Sequence, residues 1–216
     1  MVTDAPPAVL YSLALLPPLS VAQPLAQWRA RLHPDYAPKI SPHITVKQPF
    51  VRQESADQSA YDSPHASAPQ HEAELMRALG RCISTHTAFT LQLETPSFFS
   101  SSRYGSVVYL GVRRSAALDA LSFTLVHAVA ALGSITHGLD PERENGLFFP
   151  HLTLTQGLSK ADAERAVAML GSAADCSFLA TRLVVGRAGD DGVWHRPYEL
   201  SLAPSVQRSD ARVGPL

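Results

Sequence analysis

Cysteine is scarce in this chain: only Cys82 and Cys176 occur among its 216 residues. Neither belongs to a Cys-x-x-Cys pair, and two isolated thiols cannot form the framework of several disulfides that holds small secreted domains together. Unpaired thiols are typical of proteins in a reducing compartment, so we expect a cytoplasmic protein.

An excess of charge of either sign is also lacking. The chain has 18 Lys and Arg against 19 Asp and Glu, which gives a net charge of −1. Proteins that grip long nucleic acids present a basic face, so we expect no DNA partner. A small phosphorylated ligand is compatible with this balance, because a few local cations are enough to bind it.

Long apolar runs are missing as well. The apolar stretch Val9–Leu16 stops at Pro17, and it is far shorter than the ~20 residues that span a bilayer as a helix. No positive charge precedes it, which argues against a signal peptide. We therefore expect no membrane partner, and the pattern of this stretch predicts a buried strand.

The chain does have enough apolar side chains, 45% of the total, to build a core. Residue patterns predict strands at 9–16, 39–48, 89–93, 104–112, 147–155, 177–186 and 193–202. Helical spacing and capping residues predict helices at 20–32, 71–84, 115–132 and 159–170. Residues 135–146 predict a polar loop. Residues 51–70 have no period and predict a flexible insert, for which a tolerated surface insertion is a better explanation than a lid.

Two ten-residue stretches repeat one another half a chain apart: Ser41–Phe50 (SPHITVKQPF) and Phe149–Leu158 (FPHLTLTQGL). Aligned on their histidines, they share Pro42/Pro150, His43/His151, Thr45/Thr153 and Gln48/Gln156. Strands and helices recur around each copy, which duplication explains most simply. We predict an α+β fold over residues 1–216 as one bilobal domain, with two similar lobes that each form an antiparallel sheet with outer helices.

Within a strand, residues two apart point to the same side. The predicted exposed faces hold His43, Thr45 and Lys47 in the first copy and Phe149, His151, Thr153 and Thr155 in the second. The core faces hold Ile44, Val46, Leu152 and Leu154. Each strand is thus expected to present an imidazole and a hydroxyl side by side, backed by apolar side chains.

Two imidazoles that face one another across a cleft suit phosphodiester chemistry. Histidine titrates near neutral pH, so one ring can accept a proton while the other donates one. Threonine hydroxyls and a lysine can donate hydrogen bonds to the non-bridging phosphate oxygens. The candidate catalytic residues are His43, Thr45, His151 and Thr153, and the candidate substrate-binding residues are Lys47, Thr155, Tyr11 and Phe149. The two aromatic candidates fit a core position equally well.

Other site types have weaker support. A zinc site would need His, Asp, Glu or Cys in register with each histidine, but the partner is threonine in both copies, so we predict no metal and no other cofactor. The sequence has no GxSxG, no P-loop and no GxGxxG motif. A purely structural repeat remains the alternative interpretation of the two histidines. His195, beside Trp194, is a further candidate for stacking on a base, with packing the stronger alternative.

The motifs at residues 43–46 and 151–154 resemble the tandem His-x-Thr signature of the 2H phosphoesterase superfamily, which includes the bacterial 2′-5′ RNA ligase-like proteins and cyclic phosphodiesterases. Three further stretches are similar to the first strand, the central strand segment and the closing hairpin of that family: VLYSLALLPP at Val9–Pro18, PSFFSSSRYGSVVYLGV at Pro96–Val112 and RLVVGRAGDDGVWHRPYEL at Arg182–Leu200.

The resemblance implies a groove between the lobes and metal-independent hydrolysis of a 2′,3′-cyclic phosphate, with reversible 2′-5′ RNA joining in some members. It also implies that His43 donates a proton, that His151 activates water, and that Thr45 and Thr153 hold the phosphate. Some relatives have a basic residue just after the second motif, where this chain has Gln156.

We therefore expect a monomeric cyclic phosphodiesterase whose substrate is a small nucleotide cyclic phosphate or an RNA terminus. A module that binds RNA ends or nucleotides without turnover, and a reversible 2′-5′ RNA ligase, are the alternatives. The residues alone do not assign which histidine is the acid.

Overall fold

The computed structural model describes residues 9–35, 37–52, 67–101, 105–132, 134–135, 141–171, 176–189 and 191–204. The strands are β1 (Leu10–Leu15), β2 (Ile44–Arg52), β3 (Phe89–Ser101), β4 (Gly105–Val112), β5 (Ser134–Ile135), β6 (His151–Leu158), β7 (Ser177–Ala180), β8 (Arg182–Ala188) and β9 (Trp194–Ser201). The helices are α1 (Leu19–Leu32), α2 (Ser67–Ile83), α3 (Ala116–Ala131), α4 (Pro141–Gly146) and α5 (Lys160–Leu170). Most of the predicted insert, residues 53–66, lies outside the described residues.

The strands form one antiparallel sheet in the order β7-β3-β4-β6-β2-β1-β8-β9, with β5 paired to β2. The two strands that carry the repeat, β2 and β6, are neighbours at the middle of this order. Their register contains a single residue pair, Ile44 opposite Leu152. The sheet thus has two halves of four strands each, which meet at this one pair, and the short β5 is added beside β2. The predicted α+β fold with two similar lobes is confirmed.

The helices cover one face of the sheet and build the core there. Helix α5 packs on β3 and β4 of its own half, whereas α1 packs on β6 and α3 packs on β2. Helices α1 and α3, which follow β1 and β4 along the chain, therefore each cross to the repeat strand of the other half. Apolar side chains from both halves form one continuous cluster that includes Leu13, Ile44, Leu121 and Leu152. Within the described residues, no helix is long and apolar enough to cross a membrane.

Both repeat strands contain a β-bulge at the same position of the repeat. Along β2, Thr45 lies opposite Ala14, but Lys47 lies opposite the very next residue of β1, Leu13, so Val46 is the extra residue. A bulge reverses the alternation of side chains beyond it. The buried hydroxyl of Ser122 in α3 donates to the carbonyl oxygen of Val46 at 2.8 Å.

Along β6 the same shift occurs at Leu154. Thr153 lies opposite Tyr109 of β4, and Thr155 lies opposite Val108. The prediction that Lys47 and Thr155 share a face with the histidines is therefore wrong. Both side chains turn to the core and are almost fully buried, with exposed fractions of 2% and 0%.

Several element boundaries also differ from the sequence prediction. The predicted strand 177–186 is two strands, since the chain breaks at Thr181 and continues from β7 at one edge of the sheet to β8 in the other half. Strand β3 runs on through Pro96, where the register with β4 shifts. Helix α4 lies in the segment predicted to be a loop. The predicted caps Ser115 and Ser159 do accept the backbone N–H groups of Leu118 and Asp162.

Candidate active site

The histidines of the two copies are held in the same way. The Nδ1 atom of His43 donates to the carbonyl oxygen of Ser41, and that of His151 donates to the carbonyl oxygen of Phe149, both at 2.8 Å. Because a carbonyl can only accept, this bond fixes a proton on Nδ1. Nε2 is then the nitrogen of each ring that can gain or lose a proton.

The single pair between the repeat strands brings the two motifs together. Around Ile44 and Leu152, antiparallel register places His43 toward Thr153 and Thr45 toward His151. These four side chains lie on the face opposite the buried Ile44 and Leu152, and each is only partly buried. We call this surface the groove. Its middle holds two imidazoles and two hydroxyls in an alternating arrangement.

Both imidazoles resist protonation. Burial lowers the pKa of His43 to about 4, with added repulsion from Arg29, His151 and Arg196, while the carbonyl of Ser41 acts in the opposite direction. Burial also lowers the pKa of His151, against the effect of the Phe149 carbonyl. Both rings are therefore mostly neutral near pH 7 in the protein alone, and a bound anion would favour their charged forms.

Lys47 does not face the groove. Its ammonium lies 3.0 Å from Oε2 of Glu144 and 5.0 Å from the centre of the Phe50 ring, on the core side of β2. Burial lowers the pKa of Lys47, and the charge of Glu144 opposes that effect. The predicted contact between Lys47 and the substrate phosphate is thus wrong, because the bulge at Val46 redirects this side chain.

Two other predicted binding residues also lie in the core. Tyr11 is only 9% exposed and stacks on Phe50, with ring centres 5.9 Å apart. It alternates with the groove-facing Ser12 and so belongs to the helix-covered face. Thr155 is buried, and its hydroxyl has no hydrogen-bond partner within the described part of the chain. The predictions that Tyr11 and Thr155 bind substrate are corrected accordingly.

Of the two positions that the sequence left open for Phe149, core and groove, the structure shows the groove, on the His151 side. Phe149 is 54% exposed and stacks on the His151 ring at 5.5 Å. Two aromatic residues that the sequence did not single out complete this wall: Tyr109, 5.5 Å from His151, and Phe99, 5.6 Å from Tyr109. Tyr109 is placed there by its pairing with Thr153 of β6, and Phe99 by its ring contacts with Tyr109 and His151.

The His43 side of the groove is a hollow with small side chains at its base. Ser12 and Ala14 of β1 face Gly186 and Val184 of β8. A Cβ atom at Gly186 would come within 3.1 Å of the Trp194 ring, so the absence of a side chain there gives the indole its place. Ile40, Ser41 and Arg196 complete the lining together with His43.

His195, the further candidate for stacking on a base, does not line the hollow. A Cβ atom on Gly189, in the turn between β8 and β9, would lie 2.8 Å from its Nε2 atom, so the ring lies against that turn. In the described ranges, no group of three or more His, Cys, Asp or Glu side chains is placed to hold a metal ion.

Comparison with known proteins gives the family. The model of the 2′-5′ RNA ligase superfamily matches residues 17–192. No curated protein sequence matches the chain closely enough to count as a relative.

Solved structures agree in fold. Escherichia coli LigT complexed with 3′-AMP is 20% identical, with 90% of this chain and 98% of that chain covered and a TM-score of 0.60. A protein described as a phosphoesterase is 21% identical, with 91% and 99% covered and a TM-score of 0.60. TT0787 of Thermus thermophilus is 15% identical, with 91% and 99% covered and a TM-score of 0.57. With the matched family model spanning most of its length, the chain belongs to the 2′-5′ RNA ligase superfamily of 2H phosphoesterases.

Proposed function

We propose that this protein is a metal-independent phosphodiesterase that hydrolyses 2′,3′-cyclic phosphates of nucleotides or RNA ends by acid–base catalysis. One observation carries the proposal: two imidazoles, each fixed at Nδ1 by a backbone carbonyl, flank two threonines where the repeat strands meet. This arrangement provides a base, an acid and two phosphate-binding hydroxyls in one place.

The reaction follows from these groups. A water oxygen attacks phosphorus while Nε2 of one histidine takes the water proton, and the bond from phosphorus to one ribose oxygen breaks. The other histidine gives its Nε2 proton to that leaving oxygen, so the product is a monoester and the two rings have exchanged protonation states. Thr45 and Thr153 donate to the non-bridging oxygens, where negative charge develops.

The roles of the two rings follow the family assignment, with His43 as donor and His151 as base. Since burial lowers the pKa of His43, the negative charge of the bound phosphate is what allows this ring to carry a proton. Each proton transfer is worth roughly 10²–10⁴ in rate.

The aromatic wall supports a nucleotide as substrate. Phe99, Tyr109 and Phe149 offer ring faces and edges beside His151, and stacking of a base on such rings is tolerant of base identity. Crystal structures of the similarly folded LigT hold 3′-AMP, NADP+ or phosphate. A nucleoside that stacks on this wall would present its cyclic phosphate to the two histidines.

The test is a panel of 2′,3′-cyclic nucleotides and RNA ends with cyclic phosphates, with the phosphate position in each product read by ³¹P NMR. His43→Ala and His151→Ala should each abolish turnover and keep the fold, whereas His127→Ala on α3, outside the groove, should not. Addition of EDTA should have no effect. Saturable nucleotide binding without any product would instead support the binding-module alternative, and loss of activity in EDTA would overturn the metal-independent mechanism.

A further inference from the structure

Arg196 is an exposed arginine that faces the hollow beside His43. Two other exposed arginines do pair with carboxylates: Arg182 with Glu199 at 2.9 Å and Arg114 with Asp119 at 3.0 Å. Within the described part of the chain Arg196 has no such partner, and no acidic side chain lines the hollow. Its guanidinium is therefore available to an anion.

The backbone conformation of β9 directs the Arg196 side chain toward the groove. Val185 lies opposite Tyr198 and Arg187 lies opposite His195, so β9 has one residue more than β8 between these pairs. Arg196 and Pro197 lie in this bulge, and bulges are among the few positions in a strand where proline is found. Bulges next to active sites commonly redirect a side chain in this way.

The position of β9 separates Arg196 from the reacting phosphate. In the sheet order, β9 is the third strand from β2, which corresponds to about 14 Å at the usual strand spacing. An arginine side chain covers only part of that distance. The guanidinium thus lies near His43 on the side away from His151, whereas Thr45 and Thr153 lie between the two rings.

We propose that Arg196 is a specificity-determining residue that binds a second phosphate of the substrate, one sugar away from the reacting phosphate. The inference rests on the proposed function. It names the substrate class as cyclic phosphates that carry a further phosphate on the same nucleoside, such as a 5′-phosphorylated nucleotide or the last residue of an RNA chain. A guanidinium suits this role because its planar fork can bind phosphate through two hydrogen bonds.

Because Lys47 faces the core, it does not supply the groove with the cation that the sequence predicted there. With that lysine paired to Glu144 in the core, and with glutamine at position 156, neither repeat supplies a cation to the substrate. Arg29 is buried behind His43 and donates to the carbonyl oxygen of Ile40. Among the residues that line the hollow with His43, Arg196 is the exposed cation.

Direct binding tests the inference without turnover. Calorimetry should show that the wild-type protein binds adenosine 3′,5′-bisphosphate at least about tenfold more tightly than 3′-AMP, since hydrogen bonds to charged groups are the strong ones. Arg196→Gln should remove this preference and leave the affinity for 3′-AMP nearly unchanged. Arg182→Gln is the matched control, because it removes the same charge from the same hairpin and should keep the preference.

Three outcomes would overturn the inference: equal weakening of both ligands by Arg196→Gln, a preference that survives this substitution, or a wild-type protein that shows no preference. A bisphosphate preference that depends on Arg196, without turnover of any cyclic phosphate, would sustain the second-phosphate site and refute the proposed function. Turnover of a cyclic phosphate without the bisphosphate preference would support the proposed function and refute the second-phosphate site.

Discussion

The side chains of Lys47 and Glu144 form a buried ion pair, with Nζ and Oε2 3.0 Å apart and side-chain exposures of 1% and 6%. The other carboxylate oxygen of Glu144 accepts the backbone N–H of Gln48 at 3.1 Å. Glu144 belongs to α4, just ahead of the segment that leads into His151. The pair therefore ties the first repeat strand to the approach of the second one, beside the single backbone pair that joins the two strands.

Removal of one partner of this ion pair should destabilise the protein strongly. Glu144→Ala leaves a buried ammonium without its carboxylate, and we expect a loss of about 3–5 kcal/mol in the free energy of unfolding. The double variant Lys47→Met with Glu144→Leu should regain most of that loss, because no charge is then left buried. Urea unfolding of the single and double variants measures both effects; a loss below about 1 kcal/mol for Glu144→Ala would contradict the buried pair.

The activity should have an acidic optimum in kcat/KM. One ring must be neutral and the other charged, and the pKa values of both free rings lie below the ordinary 6.5, at about 4 for His43. The profile of kcat/KM reports the free enzyme, so its two limbs should fall between about pH 4 and 6.5 whichever ring is the acid. The profile of kcat should lie at higher pH, because the bound phosphate raises both pKa values. An alkaline limb of kcat/KM above neutrality would disagree with this electrostatic description.

Stability should also fall with acid in a range set by His43. Its pKa is about 4 in the folded protein and near 6.5 when unfolded, so the unfolded state binds more protons between these values. The stabilising contribution is complete above about pH 6.5, declines as the pH falls, and its loss totals at most about 3 kcal/mol below pH 4. His43→Gln should flatten this part of the pH dependence in urea unfolding, whereas His127→Gln should leave it in place.

Phe149 should contribute to substrate binding through its exposed ring. Phe149→Ala should raise KM for a cyclic nucleotide by about 5–100-fold, the usual range for a lost base stack, and change KM little for a ribose cyclic phosphate that lacks a base. Leu147, two residues earlier and 63% exposed, provides the matched control in Leu147→Ala. An equal effect of Phe149→Ala on both substrates would mean that the ring acts on the His151 imidazole rather than on the base.

A substrate with an activated leaving group should reveal which histidine is the general acid. A nucleotide 4-nitrophenyl ester releases a weakly basic phenolate and needs no proton donor. His43→Ala should therefore regain activity on this ester to within about tenfold of wild type, while His151→Ala stays reduced by roughly 10²–10⁴. The opposite pattern would exchange the two roles.

The alternation of apolar and polar residues predicts which side chains share a face of each repeat strand, and it does so correctly up to the bulge. His43, Thr45, His151 and Thr153 lie on the face opposite Ile44 and Leu152, as period-two spacing requires. The prediction fails at Lys47 and Thr155. A bulge depends on how two strands pair, and the pattern of one strand does not contain that information.

The groove residues that the sequence did not single out were missed for the same reason: their places depend on how strands pair. Tyr109 looks like one more apolar residue of β4, and its place beside Thr153 follows from the register between two distant strands. Arg196 and Trp194 reach the His43 side because β8 and β9 form the outer strands of that half. Strand β3 passes through Pro96 because the register shifts there, although proline usually marks the end of a strand.

The bulges have a consequence for how the two copies of the repeat can diverge. The residue after each bulge, Lys47 or Thr155, faces the core and does not contact the groove. It is therefore constrained by its core neighbours and not by the reaction. One lobe places a charged amine there that bonds an acidic neighbour, and the other places a small hydroxyl side chain. A comparison of the two copies for function should therefore stop at the bulge: the histidine and the threonine before it correspond, and the residue after it is a position at which each half has adapted to its own surroundings.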